Sequence, residues 1–147
     1  MIRRIFVEKK KGFDVEAKNL KNDLEESLNI KVKSLRVLNR YDIEGIDEKD
    51  FLVSKSIFAE LNIDNIYDDI KIDNGYMFGI EYLDGQHDQR ADFASQCVEI
   101  LLSKRPIIKT AKIYIIDGDF DIEKVKKFMI NPVDSKEATL EIPDTLK

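Results

Sequence analysis

His87 and Cys97 are the only histidine and the only cysteine in the chain. A thiolate beside an imidazole is a nucleophile for acyl transfer. Both residues fall within EYLDGQHDQRADFASQC, residues 81–97, where a strand gives way to a helix after Gly85. The spacing opposes a catalytic pair. If the helix opens near Asp88, Cys97 lies nearly three turns along it. It then shares an apolar stripe with Ala94, Val98, Leu101 and Leu102, where a thiol behaves as a small hydrophobe. No set of His, Cys and carboxylates has metal-ligand spacing, and the glycines stand singly in turns rather than in a phosphate loop. The remaining chemistry lies in QHDQRAD. Gln86, Asp88, Gln89 and Arg90 gather at a helix opening, where free backbone N–H groups favour anions. These four are candidates for docking onto another protein surface or for binding an anion. The competing reading is an ordinary cap with a solvated first turn. No catalytic residue and no metal ligand is assigned.

Composition limits the setting. The 147 residues suffice for one domain or two half-units sharing a core. A chain of this size buries roughly 68–70% of its unfolded surface, so neither metal nor disulfide is needed for stability. A single cysteine forms no internal disulfide and fits a reducing cytoplasm. The apolar run after Met1 is too short for a signal peptide, and no stretch has the length of a membrane span. The net charge of -5 argues against a nucleic-acid partner. Lys9, Lys10 and Lys11 read as a solvated strand end that discourages aggregation.

The elements that must carry the polar stretch follow from hydrophobic periodicity. IRRIFVE, Ile2 to Glu8, is a strand broken at Gly12. Asp14 caps a helix with Ala17, Leu20, Leu24 and Leu28 on one stripe. A strand over Ser34–Asn39 follows, then a helix capped by Asp47 that carries Phe51, Ile57 and Phe58. A short strand lies within Asn65–Ile72. The order then recurs: strand Tyr76–Tyr82, a break at Gly85, the helix carrying Cys97 and ended by Pro106, and strand Ala111–Ile116. Last come a helix capped by Asp121 with Val125, Phe128 and Met129, a turn and a closing strand. Shifting the sequence by about 73 residues lays Glu8 on Glu81, Gly12 on Gly85 and Leu28 on Leu101. Asp64 falls on Asp134 at a slightly shorter shift. The expectation is a duplicated β-α-β unit, with half-units near 1–72 and 75–142 and residues 143–147 starting a linker. The fold class is α+β: an antiparallel or mixed sheet covered by helices, its halves related by a pseudo-twofold axis.

EYLDGQHDQRADFASQCVEILL resembles a stretch near the N-terminus of the large, single-chain phosphoribosylformylglycinamidine synthase of clostridial type. RRIFVEKKKGFDVEA, RVLNRYDIEGI, RPIIKTAKIYII and INPVDSKEATLEIPDTL resemble the same region, in the same order, so the likeness spans essentially the whole chain. Gln86, Asp88, Gln89, Arg90 and Asp92 match the family's pattern. Asp84, His87 and Phe93 depart from it, standing where the family has a proline, an aromatic and a serine. The resemblance implies a bridging domain of an ATP- and glutamine-dependent amidotransferase of purine biosynthesis, one that resembles a fused dimer of the small separate subunit of three-protein forms. Its partners would be the synthetase and glutaminase domains of the same polypeptide. ATP and Mg would serve the full-length enzyme, no cofactor is implied for these residues, and the fragment alone would be inactive, with homodimerisation open to it. The alternative from the residues is an independent regulatory module with a small molecule at the half-unit interface.

Overall fold

The computed structural model describes all residues, Met1–Lys147. In the first half, β1 (Ile2–Lys9), α1 (Val15–Leu28), β2 (Lys31–Glu44), α2 (Glu48–Phe58) and β3 (Asp64–Tyr67) follow in order. The second half repeats this with β4 (Tyr76–Tyr82), α3 (Gln89–Leu102), β5 (Ile107–Asp119), α4 (Ile122–Met129) and β6 (Ser135–Ala138). The six strands form one sheet in the order β3-β1-β2-β5-β4-β6, and every pairing is antiparallel. This is the α+β duplication expected from the sequence. The order reads the same from either edge once β1 is exchanged for β4, β2 for β5 and β3 for β6.

The register locates the dyad. Asn39 pairs with Lys112 in the central β2–β5 ladder, and these residues lie 73 positions apart, the offset of the repeat. The pseudo-twofold therefore passes between them. Ile5 opposite Tyr41 recurs as Phe78 opposite Tyr114, at the same offset. Gly12 and Gly85 hold equivalent breaks at φ +96 and +88, a region where a residue without Cβ is unstrained. Two alignments need correction. Lys9 pairs with Asp64 and Tyr82 with Ser135, so Asp64 corresponds to Ser135 rather than to Asp134. The break before α3 is also one residue longer, so its helix is offset by 74: Ala17 and Leu24 match Ala91 and Val98, all buried.

The central strands extend well beyond the expected Ser34–Asn39 and Ala111–Ile116. The added length lets β2 and β5 run past their outer partners and carry helices at both ends. α2 and α3 close a core of Ile5, Val7, Tyr41, Ile43, Phe51, Phe58 and Val98 at one end. α1 and α4 close Leu24, Val32, Phe78, Tyr114, Ile116 and Val125 at the other. On the opposite sheet face, Phe6, Leu38, Ile113 and Ile115 form a third cluster. The C-terminal segment lies back along this face. Arg40 donates to the Thr139 carbonyl (2.7 Å) and Arg4 to that of Leu140 (2.8 Å), while Leu146 N–H donates to Glu44 (2.7 Å). Residues 143–147, expected to begin a linker, are thus held at Leu146, which is buried.

Candidate functional site

The first turn of α3 places the four candidate residues, and it divides them. Asp88 is the N-cap, with one carboxylate oxygen accepting from Ala91 N–H at 3.0 Å. The same carboxylate accepts from the Thr110 backbone N–H and hydroxyl, each at 2.9 Å. Asp88 thus fixes the start of the helix to the central strand β5, and its lone pairs are largely committed to that task. Gln86 is exposed in the turn, where its N–H closes back on the Leu83 carbonyl at 3.0 Å. Gln89 and Arg90 both line a cleft of about 500 Å³ between α3 and the sheet, with Asn39, Ile80, Tyr82, Phe93, Lys112 and Tyr114 among the other walls. Arg90 makes no hydrogen bond or ion pair within the chain, and it also borders a second cleft beside Tyr41 and Phe58.

The dyad brings further groups together that sequence inspection passed over. Lys112 rises from the sheet centre and binds Glu16 of α1 through both carboxylate oxygens, at 2.8 and 2.9 Å. With the helix offset of 74, Glu16 and Arg90 occupy equivalent positions, as do Asn39 and Lys112. Glu16 with Lys112 therefore closes an ion pair between the halves over the dyad, and the equivalent pair, Arg90 with Asn39, leaves a guanidinium and an amide unjoined. Tyr41 and Tyr114 are equivalent as well. Both rings are buried, at 7% and 9% exposure, and neither hydroxyl has a hydrogen-bond partner in the protein. Neither hydroxyl is sealed from solvent, so both open towards the clefts. Burial raises both phenols above the ordinary range, Tyr114 to about 12. Arg90 acts the other way on Tyr41, drawing it down by its charge. The repeat offset alone leaves this grouping open: antiparallel pairing of equivalent strands sets some residue opposite its own counterpart, and only the β2–β5 register makes that residue Asn39 opposite Lys112.

His87 and Cys97 form no reactive unit here. His87 is exposed in the turn, 4.0 Å from Asp92. Cys97 is half-buried rather than buried, and Leu101 beside it is exposed. The packing stripe of α3 is instead Ala91, Ala94, Ser95 and Val98. The expected stripe was rotated because Ser95, polar by type, sits inside with its hydroxyl donating to the Pro106 carbonyl at 2.6 Å. Phe128 of α4, likewise expected in the core, is exposed. No group of three or more His, Cys, Asp or Glu side chains is placed to hold a metal ion, and no helix is long and apolar enough to cross a membrane. The chain matches no protein-family model and no curated protein.

Proposed function

We propose that this chain is a bridging domain of a purine-biosynthetic amidotransferase of the phosphoribosylformylglycinamidine synthase type, positioning synthetase and glutaminase domains and performing no chemistry itself. The internal dyad is the observation that carries the reading. A fused dimer of a small bridging subunit calls for one sheet with equivalent halves, and the Asn39–Lys112 pairing sits at the symmetry point of such a sheet. The sequence resemblance supports the same reading. The exposed first turn of α3, with Gln86, Gln89 and Arg90 outward of the Asp88 clasp, is the surface offered for docking.

The test joins the domain to the synthetase and glutaminase portions of a clostridial-type enzyme that lacks its own N-terminal region. Glutamine-dependent formation of formylglycinamidine ribonucleotide should require the domain, and ammonia-dependent formation should depend on it less, because ammonia must travel only in the first case. Failure to associate, together with unchanged activity from both nitrogen sources, would sink the proposal. In that assembly Arg90→Ala should cost roughly 2–5 kcal/mol of association if the guanidinium meets a buried carboxylate, and within about 0.5 kcal/mol of zero if it stays solvated.

A further inference from the structure

We infer that the groove over the internal dyad binds a small organic anion, a phosphate or carboxylate head on a flat apolar body, with Arg90 and Lys112 holding the head. This goes beyond the bridging role and does not depend on it. The cleft of about 500 Å³ is of the size that small-molecule sites occupy. Its lining carries two cations of different status. Lys112 already holds a carboxylate, that of Glu16, so a head of this chemistry fits at the dyad. Arg90 has no such partner, although its planar fork suits two parallel bonds to a carboxylate or phosphate.

A second observation points to a ligand independently. Tyr114 is about nine-tenths buried, lines the same cleft and has an unpartnered hydroxyl. The hydroxyl makes no bond within the chain and reaches solvent, and the residue lines the groove, so a bound head can take the place of the water that this group would otherwise hold. Part of the lining is apolar: Ile80 with Tyr82 and Phe93, the latter two 46% and 59% exposed. Flat faces of this kind stack on a ring. The acidic groups nearby are occupied. Glu16 pairs with Lys112, Glu81 approaches Lys136 and Arg40 at 3.8 and 3.9 Å, and Asp64 faces Lys9 at 3.0 Å.

The experiment is an amide NMR titration of the 147-residue chain with phenyl phosphate, benzoate, inorganic phosphate and phenol. Phenyl phosphate or benzoate should shift Gln89, Arg90 and Lys112 saturably below about 10 mM, at least roughly tenfold tighter than inorganic phosphate or phenol. Arg90→Gln should weaken the better probe by about tenfold or more with melting unchanged. Glu16→Gln, which removes the carboxylate charge paired with Lys112, should strengthen it. The proposal falls if no probe gives saturable shifts at the dyad, if the shifts gather at Lys9–Lys11 instead, or if Arg90→Gln binds as well as the parent chain.

Discussion

The two halves share strand order, register and turn glycines, yet they solve the same positions with different chemistry. In the first half Arg4 and Asp42 face each other across β1 and β2, both nearly buried, with bonds of 2.7 and 2.8 Å. In the second half the equivalent pair is Met77 opposite Ile115. A second contrast lies at the helix caps. Asp88 caps α3 and clasps Thr110, whereas Asp14 before α1 makes no side-chain cap bond, accepts from Gly12 N–H and pairs with Lys18 one turn on at 3.6 Å. Backbone geometry is thus reproduced while side-chain partners are not. The sheet needs only the apolar alternation and the turns, and an ion pair or an apolar pair of similar volume can fill a matched site.

The largest expected effect breaks the first contrast. Asp42→Ala strands a buried guanidinium and should destabilise the fold by about 3–5 kcal/mol in urea denaturation. The double change Arg4→Met with Asp42→Ile copies the second half and should recover most of that loss. The residue of the cost would come from the Leu140 and Glu141 carbonyls that Arg4 also holds. A double variant as unstable as the single one would show that the halves are not interchangeable at this site.

Next in size is the cap contrast. Asp88→Ala removes a helix cap and the bonds to Thr110, and roughly 2–4 kcal/mol should be lost by the same measurement. Asp14→Ala should stay within about 1 kcal/mol. Equal losses would mean that the clasp on β5 contributes nothing beyond an ordinary cap.

The tyrosine pair sharpens the comparison through pH. Both folded-state values lie above the usual 10.0, Tyr114 at about 12. Above pH 10 the unfolded chain therefore releases phenolic protons that the folded chain retains. Their contribution is intact below about pH 10 and disappears as pH rises towards 12. Two of the five tyrosines should ionise late in a spectrophotometric titration, and Tyr114→Phe should remove the later one and lessen the alkaline loss of stability. All five ionising together near the usual value would contradict the burial.

The smallest effect concerns Cys97, whose equivalent in the first half is the exposed Asp23. Because the thiol is only half-buried, Cys97→Ser should change stability by less than about 1 kcal/mol, and native protein should react with a thiol reagent without prior unfolding. Protection comparable to a core cysteine would restore the stripe read from periodicity.

Much of the fold could be read from residues alone. Ala17, Leu20, Leu24 and Leu28 mark one helix face by spacing, and Asp47 and Asp121 mark starts that both carry cap bonds. The repeat of Gly12 at Gly85 gave the duplication. The α3 face was misjudged because spacing alone allows several neighbouring stripes, and Ser95 wins an inside place through a partner eleven residues away. Of the candidate site, Gln89 and Arg90 were found because polar residues clustered at a helix opening. Glu16, Asn39, Tyr41, Lys112 and Tyr114 were not, since nothing local distinguishes a solvated lysine or a core tyrosine from one beside a cleft.

Sequence determined the elements, their duplication and the offset that relates them, because periodicity, caps and turn glycines act over a few residues and repeat wherever they are copied. Tertiary structure alone decided which copies meet. Antiparallel pairing of β2 with β5 puts Asn39 against Lys112, lays Glu16 from one half on Lys112 of the other, and leaves Arg90 open above the same axis. Those contacts join residues up to 96 positions apart, and only the closing of a sheet brings such groups within reach of one another.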